Sequence, residues 1–555
     1  MDAIDHKALA ELLFPDVKMT PEDLEAKYPP RDLPEGAAVT RLAPSPTGFI
    51  HFGNLFPAIT SERLAHQSGG VFYLRIEDTD AKREVPGAVE IIINSLAYFG
   101  VRFDEGAVMD GDRGNYGPYR QRQRREIYHV IAKKLVADGL AYPCFCTEEQ
   151  LDDIRARQEK EKANFGYYGE WAVCRELSLD EVKKKLDAGM PYVLRFRSNG
   201  SIENKIKHID LIKGELMLTE NDIDHVLLKS DGIPTYHFAH VVDDHFMRTT
   251  HVIRGDEWLS TLPFHLQLFD ALNWKRPKYL HNAPLMKSEG GSKRKISKRK
   301  DREAALSYYM EAGYPAEAVF EYALNTLNSN FEQWRMANPD SPATEFKFSV
   351  KKMSPSGALL DIDKLRDISK NVIAKMDART VYDLLTEWAK AYDPEFHDII
   401  TKDPEYTINI LGIGRGGKKP RKDAAVWGDF RDLISFFYDP LFKPEYEYPD
   451  NLNKDDIIAI LSEYQGIYDP ADDNQVWFGR VRELAEKHGC CPDMKKYKED
   501  PSGYKGHVGD VSMVLRVAVC GRTQTPDLCE IMRIMGAEMV HRRIAQAIEN
   551  LKAAD

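Results

Sequence analysis

No stretch of this 555-residue chain approaches the ~20 consecutive apolar residues that a membrane-spanning helix needs, so no membrane association is expected. Nor is there an excess of positive charge. Lys and Arg number 76 against 88 Asp and Glu, a formal net charge of -12, which excludes a surface coated in cations for indiscriminate nucleic-acid binding and leaves room only for local basic patches. Cysteine is scarce. Seven in so long a chain do not make a disulfide framework, and an odd count leaves at least one thiol unpaired, as suits a reducing compartment. The opening residues carry Asp2, Asp5 and Glu11 and lack an uninterrupted apolar segment. Neither a secretory signal nor an acid-poor transit peptide is indicated, and a cytoplasmic location is expected. No Gly-x-x-x-x-Gly-Lys-Ser/Thr occurs, which removes the P-loop route to a nucleoside triphosphate.

What is present is the make-up of a globular protein, 43% apolar and 30% charged, long enough for roughly three or four domains of ~100–200 residues. Two segments stand out. Pro44-Ser45-Pro46-Thr47-Gly48-Phe49-Ile50-His51-Phe52-Gly53-Asn54 reads as a Pro/Gly turn running into a helix start, where unpaired backbone N–H groups and the helix dipole favour a polyphosphate. Lys295-Ile296-Ser297-Lys298-Arg299, far downstream, supplies mobile cations. Together they read as two halves of an ATP-binding adenylation site. In that chemistry a carboxylate attacks the α-phosphate and pyrophosphate leaves with growing negative charge, so catalysis is chiefly positioning and charge neutralisation. His51 is suited to donate to phosphate oxygens and Gly53 to admit the nucleotide close to the backbone. Thr47 and Asn54 belong to the same phosphate-facing set, while Lys295 and Lys298 are placed to meet the departing pyrophosphate.

Residues 1–36, rich in charge and proline, read as an N-terminal extension. Strand candidates at 37–42 and 71–76 enclose a helix over 51–67, the repeating unit of a parallel nucleotide-binding sheet. Helical spacing follows over 119–140. Residues 141–225 change texture, with a thiol cluster, a charged helix over 151–162 and a strand over 192–197, and read as an insertion. The sheet is expected to resume at 224–228 and 249–254. Beyond Asp301 strand signals fade and helical periods take over. The expected fold class is α/β. A Rossmann-type parallel-sheet catalytic domain, 37–140 and 226–301, is split by the 141–225 insertion and followed by all-α domains at 302–385 and 386–555.

Arg41-Leu42-Ala43-Pro44-Ser45-Pro46-Thr47-Gly48, followed by His51-Phe52-Gly53-Asn54, resembles the first signature of class I aminoacyl-tRNA synthetases in its glutamyl form, and Lys295-Ile296-Ser297-Lys298-Arg299 resembles the second. Similar segments recur at Leu74-Arg75-Ile76-Glu77-Asp78-Thr79-Asp80, Gly117-Pro118-Tyr119, Val241-Val242-Asp243-Asp244-His245, His251-Val252-Ile253-Arg254-Gly255 and Gly521-Arg522-Thr523. The likeness covers nearly the whole chain after residue 36, including the helical anticodon-binding region of bacterial-type members. It implies a monomer that activates glutamate with ATP to glutamyl-adenylate and then esterifies the 3'-terminal ribose of tRNA(Glu). By the same resemblance Arg41, Ser45, Glu77, Tyr236 and Arg254 fall where the family holds glutamate, and Glu257 and Trp258 where it lines the adenosine. Two arginines suit a buried substrate carboxylate and Glu77 suits its ammonium group. Arg254 favours an acid over an amide. A glutaminyl enzyme and a catalytically silent tRNA-binding paralogue remain as alternatives. The insertion is expected to grip the acceptor end, 302–385 the stem, and 386–555 the anticodon, with Arg415 in the basic run 414–422 as a candidate contact.

Several positions depart from the family pattern. Asn54 stands where histidine is usual, and His240 where asparagine is common. Cys144, Cys146 and Cys174 look like the zinc knuckle of some members, but no histidine follows Cys174 and the spacing from Tyr168 is stretched. A metal-free insertion is therefore expected, with zinc the alternative and no metal ligand assigned. Asp243 and Asp244, on a segment read as extended, would face opposite ways and are not expected to chelate one ion. Magnesium is expected to arrive with ATP, held mostly by the phosphates.

Overall fold

A computed structural model describes residues 5–47, 50–80, 84–297 and 299–553. The chain divides into two units, Met1–Tyr308 with Phe320–Asp361, and Tyr309–Val319 with Ile362–Asp555. In the first unit Val39–Leu42 pairs in parallel with Val71–Leu74, which pairs in parallel with Glu105–Val108. All four residues of Val39–Leu42 are buried, the pattern of a parallel strand covered on both faces, so the polar Thr40 and Arg41 must find partners inside. The crossover helix Leu55–Gln67 lays Leu55, Phe56, Ala58 and Ile59 into the core. The turn that follows needs glycine. A Cβ on Gly70 would lie 1.9 Å from the Ala38 carbonyl oxygen.

On the other side of Val39–Leu42 lies His251–Gly255. The Thr250 N–H donates to the Val39 carbonyl at 2.9 Å, and the Val39 N–H donates to Thr250 Oγ1 at 2.8 Å. His251–Gly255 pairs in parallel with Lys278–Asn282, placing Arg254 opposite His281. Strand order therefore reverses between Val39–Leu42 and His251–Gly255, and the crevice outside the carboxyl ends at such a point is where doubly wound sheets bind ligands. The first signature leaves one of these ends and Arg254 sits at the other.

The insertion holds Ala141–Cys144 antiparallel to Val193–Phe196, and the hairpin Lys205–Asp210 with Gly214–Thr219. Val226–Leu228, expected to resume the parallel sheet, instead pairs antiparallel with Val193–Phe196. A short apolar run carries no mark of which sheet it joins. Asp243 and Asp244 also differ from expectation: they lie on the helix Tyr236–Phe246, not on an extended segment. The N-terminal helices His6–Leu13 and Pro21–Lys27 are anchored to this unit. Arg31 grips Glu105 through two bonds of 2.8 and 2.9 Å, the Tyr28 hydroxyl donates to the Gly117 carbonyl at 2.8 Å, and Glu25 pairs with His245 and Arg248, each at 2.6 Å.

Among its described residues the second unit is helical apart from a two-residue ladder, Cys490–Cys491 with Gly506–His507. Its core gathers Trp427, Tyr464, Trp477, Leu515 and Met532, from helices that include Lys454–Ile467, Asn474–Lys487, Val508–Cys520 and Leu528–Ala553. Arg415 of the basic run is tied to the backbone of this unit. Its guanidinium donates to the carbonyls of Leu411 and Ile373, both at 2.7 Å, and of Met376 at 3.3 Å, closing the C-terminal ends of two helices. The exposed cations of that run are Lys418, Lys419 and Lys422. Among the described residues no helix is long and apolar enough to cross a membrane.

Candidate active site

His51 is the N-cap of the short turn Phe52–Asn54 that feeds the helix Leu55–Gln67. Its Nδ1 accepts from the Gly53 N–H at 2.9 Å, so the proton of the neutral ring sits on Nε2 as a donor. A Cβ on Gly53 would lie 2.9 Å from that Nδ1, so glycine also keeps the ring in place. Ser45, Thr47 and Asn54 are exposed along the same segment. Gly48, Phe49 and the second-signature Lys298 lie outside the described residues.

The second signature leaves a hairpin of Met286–Glu289 with Ser292–Lys295. Lys295 Nζ lies 3.6 Å from Glu257 Oε2, so the structure brings together two residues assigned to ATP from distant segments. The anchor of this loop is Asp301, which carries no sequence signal of its own. It accepts two 2.7 Å bonds from Arg294 and one of 2.9 Å from the Ser297 N–H. The Arg294 guanidinium holds its carboxyl well below the usual carboxylate range.

Beneath the first signature lies a buried charge network. Arg41 Nε is 3.2 Å from Asp244, Arg75 Nη1 is 2.7 Å from Asp244, and Arg75 Nη2 is 3.2 Å from Glu77. Arg124 Nε lies 2.6 Å from Asp243, which also accepts from Gln121 and Tyr128. Both aspartates are thus engaged by arginines. Burial pushes the Glu77 carboxyl up to about 7 against the pull of Arg75 and Arg41. Tyr236 is packed 4.3 Å from the Trp258 ring, within electrostatic reach of Arg254, Glu77 and Arg41 together. Arg41, Glu77 and Arg254 thus converge on Tyr236, and the Glu77 N–H donates to the carbonyl of Pro44, the neighbour of Ser45, at 3.0 Å.

Arg254 differs from the other arginines of the pocket. It is buried, and among the described residues it forms no ion pair. In the insertion, the sulfur atoms of Cys144, Cys146 and Cys174 lie within 4.8 Å of one another. Tyr167, not Tyr168, faces them, its hydroxyl 3.3 Å from Cys146 Sγ.

Residues 37–366 match the catalytic-domain model of class I tRNA synthetases (E and Q), and 420–548 match an anticodon-binding domain. A glutamate-tRNA ligase of Acetivibrio thermocellus is 52% identical over 546 residues, covering 98% of this chain and 100% of the relative. The chain belongs to the glutamate-tRNA ligases. The member from Sorangium cellulosum is 46% identical, covering 96% of this chain and 99% of its own. A glutamate-tRNA ligase crystal structure from Elizabethkingia meningosepticum, in complex with its amino acid, matches with a TM-score of 0.76 at 29% identity, covering 93% and 99% of the two chains. As a glutamate-tRNA ligase family member, the chain is a class I ligase with the expected parallel-sheet and helical parts, and the glutaminyl and silent readings give way.

Proposed function

We propose that the enzyme joins L-glutamate to tRNA(Glu) in two steps, with Arg41, Ser45, Glu77, Tyr236 and Arg254 holding the amino acid. The observation that carries this reading is Arg254, a buried cation at the end of a central strand, with no carboxylate partner among the described residues. It offers the substrate's side chain the counter-charge that glutamine would not need. Glutamate's α-carboxylate attacks the α-phosphate of ATP. His51, through Nε2–H, and Lys295 and Lys298 offset charge on the phosphates, Thr47, Gly53 and Asn54 line them, and Glu257 borders the adenosine. Magnesium enters as part of the MgATP substrate. A hydroxyl of the terminal tRNA ribose then attacks the carbonyl of the glutamyl-adenylate, forming the ester and releasing AMP and the hydroxyl proton, with the insertion, residues 302–385 and residues 386–555 meeting acceptor end, stem and anticodon. Replacing Lys298 with alanine is expected to lower glutamate-dependent pyrophosphate exchange by roughly 10²-fold, the scale of one lost transition-state charge partner, while tRNA binding holds. Unchanged exchange would remove Lys298 from the mechanism.

Glu77 gives a pH dependence. With its carboxyl near 7 in the free enzyme, acid neutralises the partner of the substrate ammonium and base restores it. KM for glutamate is therefore expected to fall as pH rises from about 6 to about 8, and Glu77→Gln to flatten that profile. A flat wild-type profile would contradict the assignment.

The thiol cluster supports a structural zinc ion. Tetrahedral zinc with S ligands at ~2.3 Å needs sulfurs at about the separation seen here, and the Tyr167 hydroxyl offers a fourth donor. The ion would tie the end of the Ala141–Cys144 strand to the Cys174 loop. Elemental analysis is expected to find one zinc per chain, lost in Cys174→Ser. A metal-free wild-type protein would restore the original expectation.

A further inference from the structure

We propose that His281 and His265 are positioning residues that aim Arg254 at the substrate's side-chain carboxylate, with Asp210 and His237 fixing their tautomers. The inference rests on the reading of Arg254 as the contact to that carboxylate.

Arg254 and His281 are register partners on neighbouring parallel strands, so their side chains emerge on the same face. Arg254 Nε lies 3.0 Å from His281 Nε2, Nη1 lies 3.1 Å from His265 Nδ1, and Nη2 lies 3.4 Å from the Trp258 carbonyl. A guanidinium has donors only, so each imidazole nitrogen that faces it must carry a lone pair. That single constraint orders the whole chain. His281 must hold its proton on Nδ1, where Asp210 Oδ2 receives it at 2.7 Å. His265 must hold its proton on Nε2, where His237 Nδ1 receives it at 2.9 Å, leaving the His237 proton on its own Nε2. Every bond from Asp210 through Arg254 to His237 then has one donor and one acceptor.

The choice of neutral partners matters. Arg41, Arg75 and Arg124 are held by carboxylates, which orient them and offset part of their charge in the same stroke. A carboxylate beside Arg254 would compete with the substrate for the same cation. Two imidazoles orient the guanidinium and leave its charge for the ligand. Both must stay uncharged to do so. Burial holds His281 and His265 below the usual histidine range and pushes His237 down to about 4. Asp210 is itself fixed by the backbone N–H groups of Ile212 and Lys213, at 2.9 and 2.8 Å, so the relay starts from a rigid loop at the hairpin tip.

The test is glutamate-dependent pyrophosphate exchange in the full-length enzyme, with melting curves on every variant. His281→Leu keeps the volume and removes the acceptor. It is expected to raise KM for glutamate by about tenfold or more, the effect of one hydrogen bond to a charged group, with kcat and KM for ATP within about threefold. His281→Gln places an amide oxygen toward Arg254 and is expected to recover most of the loss. His265→Leu tests the other flank independently should His281→Leu fold poorly. The two readings separate in the Arg254→Gln background. If Arg254→Gln leaves KM for glutamate unchanged, the assignment of Arg254 itself is wrong. If Arg254→Gln raises it but His281→Leu and His265→Leu do not, or if they add their full effect on top of Arg254→Gln, positioning through Arg254 is overturned.

Discussion

Replacing Arg254 with glutamine is expected to lower kcat/KM for glutamate by roughly 10²- to 10³-fold, because it leaves the substrate's side-chain carboxylate buried without its counter-ion, a loss of about 3–4 kcal/mol. Among the described residues the guanidinium has no ion-pair partner. It is buried beside Tyr236 and the Tyr279 ring, 4.9 Å from its carbon, and its hydrogen-bond partners are neutral. The loss should fall on KM for glutamate, with KM for ATP moving by less than about threefold, since the second signature lies on a separate hairpin. Activation of glutamine by the variant, though slow, should suffer no comparable drop. Equal losses for acid and amide would show that Arg254 supports the fold and does not read the substrate.

Asp244→Ala is expected to be the most destabilising single change in the catalytic unit. Asp244 accepts from Arg75 at 2.7 Å and Arg41 at 3.2 Å and lies 2.8 Å from His240 Nδ1. Removing it leaves Arg41 buried without its carboxylate partner and Arg75 with only Glu77 at 3.2 Å and Asp243 at 3.8 Å, a cost of ~3–5 kcal/mol. In a thermal scan the first unfolding transition is expected to drop by roughly 5–10 °C. Burial alone would raise the Asp244 carboxyl, yet Arg41 and Arg75 hold it well below the usual carboxylate range. A depressed carboxyl contributes stability above its unfolded pKa and loses it only as pH falls through the folded value. Asp244 itself stays ionised from about pH 6 to pH 8, but Glu77 titrates there, so the deficit of Asp244→Ala should be smaller at about pH 8, where ionised Glu77 pairs with Arg75, than at about pH 6. A deficit larger at the higher of these pH values would point to a different partner.

The residues that were legible in the sequence are those whose chemistry is local. His51 and Gly53 lie two positions apart at a helix start, and their hydrogen bond is a property of that turn. Lys295 follows from a run of cations, and Arg41, Glu77 and Arg254 from their place in family segments. What the sequence hides depends on register and on the choice between helix and strand. Asp243 and Asp244 look like opposite faces of a strand until the helix Tyr236–Phe246 turns them toward Arg124 on one side and Arg41 and Arg75 on the other. Arg254 meets His281 only because two strands separated by a helix align residue for residue, and Asp210 reaches them from a hairpin in the insertion. Arg415 is a further case: the sequence shows a cation in a glycine-rich loop, but not that its guanidinium donates to carbonyls at the ends of two helices.

Aminoacylation with radiolabelled amino acid tests the central claim most directly. Purified enzyme, ATP with magnesium, and tRNA(Glu) are combined with labelled glutamate or labelled glutamine, and acid-precipitable RNA is counted. ATP-dependent charging with glutamate and none above background with glutamine is the predicted result. Charging with glutamine at a comparable rate, or no transfer of glutamate by enzyme that binds the tRNA, would contradict it.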